Sequence, residues 1–380
     1  MTVSKLDLYD ELGLRRVINA SATLTRLGGS IMPAPVIEAM VRASRSFIDV
    51  PALQAAAGQR VARMTRNEAA YICNGAAAGL TLSTAACITG ANPALIARLP
   101  NDLTRLKNEI VVHRCQRNGY DHAVRQTGVR LVEIGLRGST YAWELEAALS
   151  ERTAAVVYFA GYYFEQGALP LARVIEIAHA RSVPVIVDGA AQIPPVSNLW
   201  AYTEAGADLA VFSGGKGLRG PQSSGLIVGR ADLIEGVRLN GPPNNGIGRP
   251  MKVGKEEIAG IVAAVEWYLG LDEPALIARY ERQVARVVET MRTVRGVFAR
   301  RDFPSEAGQP TPRAQIEIDA DVAGIDRDTL VARLREGNPY VEVSPSGRDG
   351  IYVNPQTLEE GEEAIVIDRL LQAFATGARS

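Results

Sequence analysis

The stretch VPVIVDGAAQIPPVSNLWAYTEAGADLAVFSGGKGLRG, Val183 to Gly220, decides the fold. Two apolar runs, VPVIVD and ADLAVFS, flank LWAYTEAG, which has the texture of a short helix. Val, Ile and Ala fill the runs with no polar alternation. Such strands are buried on both faces, as in a parallel sheet covered by helices. Pro184 and Gly189 bound the first run, as they would a central strand.

Working outward, NEIVVH, VRLVEIG, TAAVVYFA and SGLIVG read as further strands between about residues 109 and 229. YDHAVRQTG, AWELEAALSE and LARVIEIAHARS read as the helices between them. The alternation predicts an α/β domain built on a largely parallel sheet. After residue 255 the texture changes. KEEIAGIVAAVEWYLGL and ALIARYERQVARVVETMRTV carry apolar residues at three- and four-residue spacing and predict two long helices. RAQIEID, DTLVARLREG, YVEVSPSG and GIYVNP suggest a small sheet with one helix, and LEEGEEAIVIDRLLQAFATG a closing helix. The expected division is an N-terminal arm over 1–35, a large domain over 36–255 and a smaller α+β domain over 256–380.

The chain has 380 residues, 47% hydrophobic and 22% charged, the profile of an ordinary globular protein of more than one domain. A formal net charge of −1 lacks the basic surplus that nucleic acid or an acidic membrane attracts. Cys73, Cys87 and Cys115 show neither CxxC spacing nor an even count, so reduced thiols are expected, without a disulfide framework or a metal site. The charged start MTVSKLDLYDELGLRR lacks a signal-peptide core, and a cytoplasmic protein is expected. Ala69 to Ala97 holds no charge and is long enough to span a bilayer. Its Asn74, Gly75, Gly79 and many small residues suit a helix packed on a sheet instead, so no membrane span is expected.

Four groups of residues could carry chemistry. Lys216 follows the strand ADLAVFS in a Gly-Gly-Lys-Gly turn. Ligands of open parallel sheets bind beyond the carboxyl ends of the strands. The glycines would allow positive φ and close approach of a bulky group. GxxxxGK[ST] is absent, so this is no Walker loop. A lysine bonding covalently to a carbonyl, as pyridoxal phosphate requires, fits better. Asp188 ends VPVIVD, where a carboxylate can pair with a pyridinium nitrogen or simply cap a helix. Asn74, Gly75, Ala76 and Ala77 open a helix of small residues, a cradle for phosphate, to which Ser213 could add a hydroxyl. VVHRCQRNGYDHAVRQTG carries Tyr120 and His122, either of which could stack on a cofactor ring.

With these four pieces in order, the chain resembles the fold-type I pyridoxal-phosphate enzymes, in the branch of selenocysteine synthase (L-seryl-tRNA selenium transferase). The shared texture runs through RRVINASATLTRLGGSIMP, RNEAAYICNGAAAGL, VPVIVDGAAQIPP, GADLAVFSGGKGLRGPQSSGLIVG and GRPMKVGKEEIAGIVAAVEWYL, almost the whole chain. LTRLGGSIMP, YDHAVRQTG and GRPMKVGKEE are more similar to the subgroup of D-glucosaminate-6-phosphate ammonia lyase. The resemblance implies a large, mostly parallel seven-stranded sheet domain with a smaller α+β C-terminal domain. It implies that Lys216 holds the cofactor, Asp188 meets the pyridine nitrogen, and the Gly75–Ala76 turn holds phosphate. Gln192, in the same block as Asp188, is a further candidate to bind the cofactor.

Selenocysteine synthase carries a further N-terminal domain that grips tRNA. Here the matching block starts near residue 15, so that domain is expected to be missing and no nucleic-acid partner is expected. The resemblance then implies a lyase for a hydroxylated amino acid or amino-sugar acid, phosphorylated or not. Its course runs through a Cα carbanion and an aminoacrylate to a keto acid. A racemase, a β-replacement synthase and a non-catalytic cofactor-binding protein remain alternatives. For the substrate's anionic groups, Arg249 in NNGIGRPMK comes first and Arg219 second, with Thr25 of the arm as a further candidate. A lid is the natural role for the Gly/Asn/Pro-rich loop of Arg249. Sharing of sites across a dimer in that fold implies a homodimer or higher homo-oligomer.

Overall fold

The computed structural model describes residues 8–375; the first residues of the expected arm and the last of the expected small domain lie outside them. The chain divides into two compact units. Among the described residues, the larger comprises 30–271 and 307–309, the smaller 8–29, 272–306 and 310–375.

The larger unit is built on a seven-stranded sheet. Its order is Ala69–Cys73, Gly225–Gly229, Leu209–Ser213, Val185–Asp188, Thr153–Phe159, Glu109–His113, Arg130–Ile134. All neighbours pair in parallel except Gly225–Gly229, which is antiparallel to both of its partners. The expected α/β sheet is therefore present, and mostly parallel. Ala69–Cys73 was not singled out as a strand; it is the seventh, followed directly by the helix Gly75–Thr89. Strand and helix together account for the uncharged segment, and no helix among the described residues is long and apolar enough to cross a membrane.

Both faces of the sheet are buried. Val185 and Val187 point into one core with Val174, Leu199, Ile258 and Ile261, while Ile186 points into another with Leu80, Leu82 and Val237. Alternation along the strand sends successive side chains to opposite faces, and helices on each side make both faces apolar. The helix Lys255–Leu269, expected in the small domain, packs in the larger unit against Ala34–Ser44 and Val50–Met64.

The smaller unit holds a five-stranded sheet ordered Val17–Ala20, Tyr340–Ser346, Gly350–Val353, Arg313–Ile318, Val297–Asp302. Part of the expected arm is thus a strand: Val17–Ala20 pairs in parallel with Tyr340–Val343. The helices Glu273–Met291, Arg327–Glu336 and Glu362–Ala375 supply Val284, Leu330 and Leu370 to its core.

Candidate functional site

In the larger unit, the register of the sheet puts the carboxyl ends of five strands on one edge: Cys73, Ser213, Asp188, Phe159 and His113. Lys216 leaves this edge three residues beyond Ser213. Its loop is closed by Gly214 N–H to the Ser224 carbonyl and Gly220 N–H to the Gly214 carbonyl, both at 2.8 Å. The glycines serve close packing and not, as the sequence suggested, positive φ. A Cβ on Gly217 would overlap the Ile193 carbonyl, and one on Gly215 would sit 2.5 Å from the Gln222 Cα. The left-handed residue of the loop is Arg219, at φ 54°.

Arg219 donates from Nε to the Ile31 carbonyl at 2.6 Å, with its guanidinium 5.7 Å from the Trp267 ring centre. Ser30 Oγ donates to the Gly215 carbonyl at 3.1 Å. The backbone that carries Lys216 is fixed on both sides, with its side chain half-buried.

Asp188, one strand away, is buried. Burial raises its carboxyl above the usual carboxylate range, while the Ala190 N–H and the charge of Lys216 pull the other way. The Ala190 amide donates to Oδ1 at 2.9 Å. Gln192 is buried and holds a different part of the unit: its amide donates to the Ala307 carbonyl at 2.7 Å.

The helix Gly75–Thr89 starts at the same edge. Gly75 has φ 75°, and no side chain caps the helix. Asn74, at the N-cap position, donates instead to the Lys252 carbonyl. The first turn thus has no side-chain cap and carries only the small residues Gly75, Ala76 and Ala77, an arrangement that suits an anion. Gly225 presses against the turn, since a Cβ there would lie 2.8 Å from the Gly75 carbonyl carbon and 3.1 Å from the Ala76 nitrogen. Ser213 pairs with Gly225, which brings its hydroxyl to the region of the turn.

The loop 242–252 carries Arg249, exposed and with no side-chain partner among the described residues. The loop is anchored: Gly248 N–H donates to the Asn240 carbonyl at 3.1 Å, and Asn244 Nδ2 to the Gly241 carbonyl at 3.0 Å.

Of the two stacking candidates, the structure brings Tyr120 to the lysine. Lys216 Nζ stands 5.9 Å from its ring centre. His122 is exposed and makes no ring or ion-pair contact among the described residues. His113 is a core residue: Nε2 accepts from the Leu169 N–H at 3.3 Å, and burial pushes its pKa down to about 4. Asp121, beside Tyr120, was overlooked. It is buried and ion-paired to Arg117 and Arg125. The four-residue spacing of Arg117, Asp121 and Arg125 was the available signal. Thr25 belongs to the smaller unit, in the turn Thr25–Leu27.

The family model described as L-seryl-tRNA selenium transferase matches residues 17–286. A D-glucosaminate-6-phosphate ammonia lyase of Salmonella typhimurium is 32% identical over 371 residues, 96% of this chain and 97% of that protein. A 5'-C-glycyluridine monooxygenase-decarboxylase of a Streptomyces species is 33% identical over 368 residues, 94% of this chain and 90% of that one. A solved structure of D-glucosaminate-6-phosphate ammonia-lyase superimposes with a TM-score of 0.86 at 31% identity, over 99% of this chain and 100% of that chain. The sheet order, the lysine loop and these matches agree with the expected fold-type I architecture, and the chain belongs to the L-seryl-tRNA selenium transferase family.

Proposed function

We propose that this protein is a pyridoxal-phosphate-dependent ammonia lyase acting on a hydroxylated α-amino acid of the amino-sugar acid type. One observation carries the reading. Asp188 ends one strand and Lys216 follows the end of its parallel neighbour, on the sheet edge where an uncapped helix begins. An amine, a carboxylate and an uncapped helix N-terminus are the three elements this cofactor needs. Similarity to an ammonia lyase over nearly the whole chain supports the same reading.

When bound, pyridoxal phosphate supplies an electron sink that makes the substrate Cα–H acidic. Asp188 would hold a proton at the ring nitrogen. Gly75, Ala76 and Ser213 would hold the phosphate, and Tyr120 the ring face. Lys216 would anchor the cofactor and, when free and neutral, take the Cα proton. Arg249 has its guanidinium available for a substrate carboxylate or phosphate. Arg219, engaged by Ile31 and Trp267, would act as a brace of the lysine loop. Water lost from Cβ balances the water taken up when ammonia leaves, so the net products are a keto acid and ammonia.

Similarity to a monooxygenase-decarboxylase favours one alternative, an oxygen-dependent loss of CO2 on the same scaffold. A second copy of the chain would cover the apolar run around the fully exposed Phe47, with Ile37, Val41 and Ile48. Light scattering on wild type and Phe47→Glu tests that assembly.

The first test is an absorbance spectrum of wild type and Lys216→Ala, each with added pyridoxal phosphate. A band at roughly 410–430 nm in wild type, lost in the variant, is expected. No band in wild type would overturn the reading. Hydroxylated amino acids and amino-sugar acids, with and without phosphate, are then screened. Ammonia without oxygen uptake supports the lyase; CO2 with oxygen uptake supports the alternative.

A further inference from the structure

We infer that Asp121 is a positioning residue that sets Tyr120 over Lys216; the inference rests on the cofactor reading above. Tyr120 is exposed, and a ring in that state has no packing of its own to fix it. Its backbone supplies the order. Tyr120 sits in the single turn Gly119–Asp121, between the strand Glu109–His113 and the one-turn helix His122–Arg125. Asn118 Oδ1 accepts from the Tyr120 N–H at 2.8 Å, and Asn118 Nδ2 donates to the Gln116 carbonyl at 2.9 Å.

The next residue, Asp121, is the one carboxylate of this turn, and it is buried. Each of its oxygens has a different partner. Arg117 Nε reaches Oδ2 at 2.6 Å, and Arg125 Nε reaches Oδ1 at 2.8 Å. Arg117 also pairs with Glu133, as does Arg114 at 3.1 Å. Glu133 belongs to the strand Arg130–Ile134, so the turn is tied to the sheet and not only to itself. Burial by itself would raise the Asp121 carboxyl, but the two guanidiniums prevail and lower it, so it stays charged at neutral pH.

A buried carboxylate with two arginines locks backbone on both sides of it. The residue between Asn118 and Asp121 is therefore held at both its N–H and its carboxyl-side neighbour. Lys216 Nζ lies 5.9 Å from the ring so held. Loss of the Asp121 charge would free both arginines, leave Arg117 to Glu133 alone, and let the ring leave the lysine.

A simple brace of the fold and a device acting through Tyr120 differ in one measurable way. If Asp121 acts through the ring, removing the ring removes its effect. Pyridoxal phosphate affinity and the visible circular dichroism of its bound band are measured for wild type, Tyr120→Ala, Asp121→Asn and the double variant. Tyr120→Ala should weaken binding by about three- to tenfold, the order expected of one aromatic contact. Asp121→Asn should approach that loss and shift the dichroism in the same sense. The double variant should be no weaker than the weaker single within about twofold. Losses that multiply would overturn the inference. If Asp121→Asn does not fold, Arg125→Gln, which removes one of the two partners, replaces it in the same cycle with the same two outcomes. A wild type that binds no pyridoxal phosphate sinks the underlying function; a wild type that binds it, with multiplying losses, sinks only the role of Asp121.

Discussion

Asn74 Nδ2 donates to the Lys252 carbonyl oxygen at 2.9 Å. An asparagine at an N-cap ordinarily turns back on its own helix, and forgoing such a cap costs about 1 kcal/mol. Here it reaches away, so the helix N-terminus stays open to an anion while the 242–252 loop is fastened beside it.

Asn74→Ala should release that loop with little loss of global stability, about 1 kcal/mol for one hydrogen bond. Limited trypsin digestion reads the change. Cleavage should appear after Lys252 and not after Arg249, which Pro250 protects. An unchanged digestion pattern would show that the Asn240 and Gly241 contacts hold the loop alone.

Two glycines of the site should respond differently to alanine. Gly217 has the Ile193 carbonyl where a Cβ would go, so Gly217→Ala must shift the backbone of Lys216. A destabilisation of about 3 kcal/mol or more is expected, with loss of cofactor binding. Gly75 has open space and φ 75°, so Gly75→Ala meets only backbone strain, about 1 kcal/mol. Denaturant titration of both variants gives the comparison.

Burial raises the Asp188 carboxyl, the largest influence on it. A folded-state pKa above the unfolded one means that the charged form costs stability as pH rises past the unfolded value near 3.9. Asp188→Asn should therefore raise the melting temperature of the cofactor-free protein at pH 7 by a few degrees. The gain should shrink as pH falls toward about 4. A lowered midpoint at pH 7 would mean that the charge of Lys216 outweighs the cost of burial.

Glu342 in the smaller unit behaves oppositely. Burial would raise its carboxyl, but Arg335, Tyr340 and Arg26 outweigh it and hold it at about 2. Its stabilising contribution is complete above the unfolded value near 4.3 and is lost as pH falls from there through about 2. Acid unfolding followed by circular dichroism should flatten across that window in Glu342→Gln, with lower stability at pH 7.

The strands from residue 109 to 229 and the helices between them were legible because apolar periodicity is local and buried strands leave continuous Val and Ile runs. The places of Lys216 and Asp188 followed, since a strand's end fixes which edge its next residues occupy. Ala69–Cys73 was hidden at the head of an uncharged run that continues through Asn74 into the helix Gly75–Thr89. Val17–Ala20 looked irregular because its partner lies at Tyr340–Val343, and no local pattern records a pairing across that separation. The glycines around Lys216 signalled a special loop; their cause, backbone packed on Ile193 and Gln222, exists only after folding. By itself the sequence determined the α/β class and put Lys216, Asp188 and the Gly75 turn just beyond strands, all consequences of neighbours in the chain. Tertiary structure alone decided that Tyr120 and not His122 stands by Lys216, because that proximity joins two loops about a hundred residues apart and no local pattern records it.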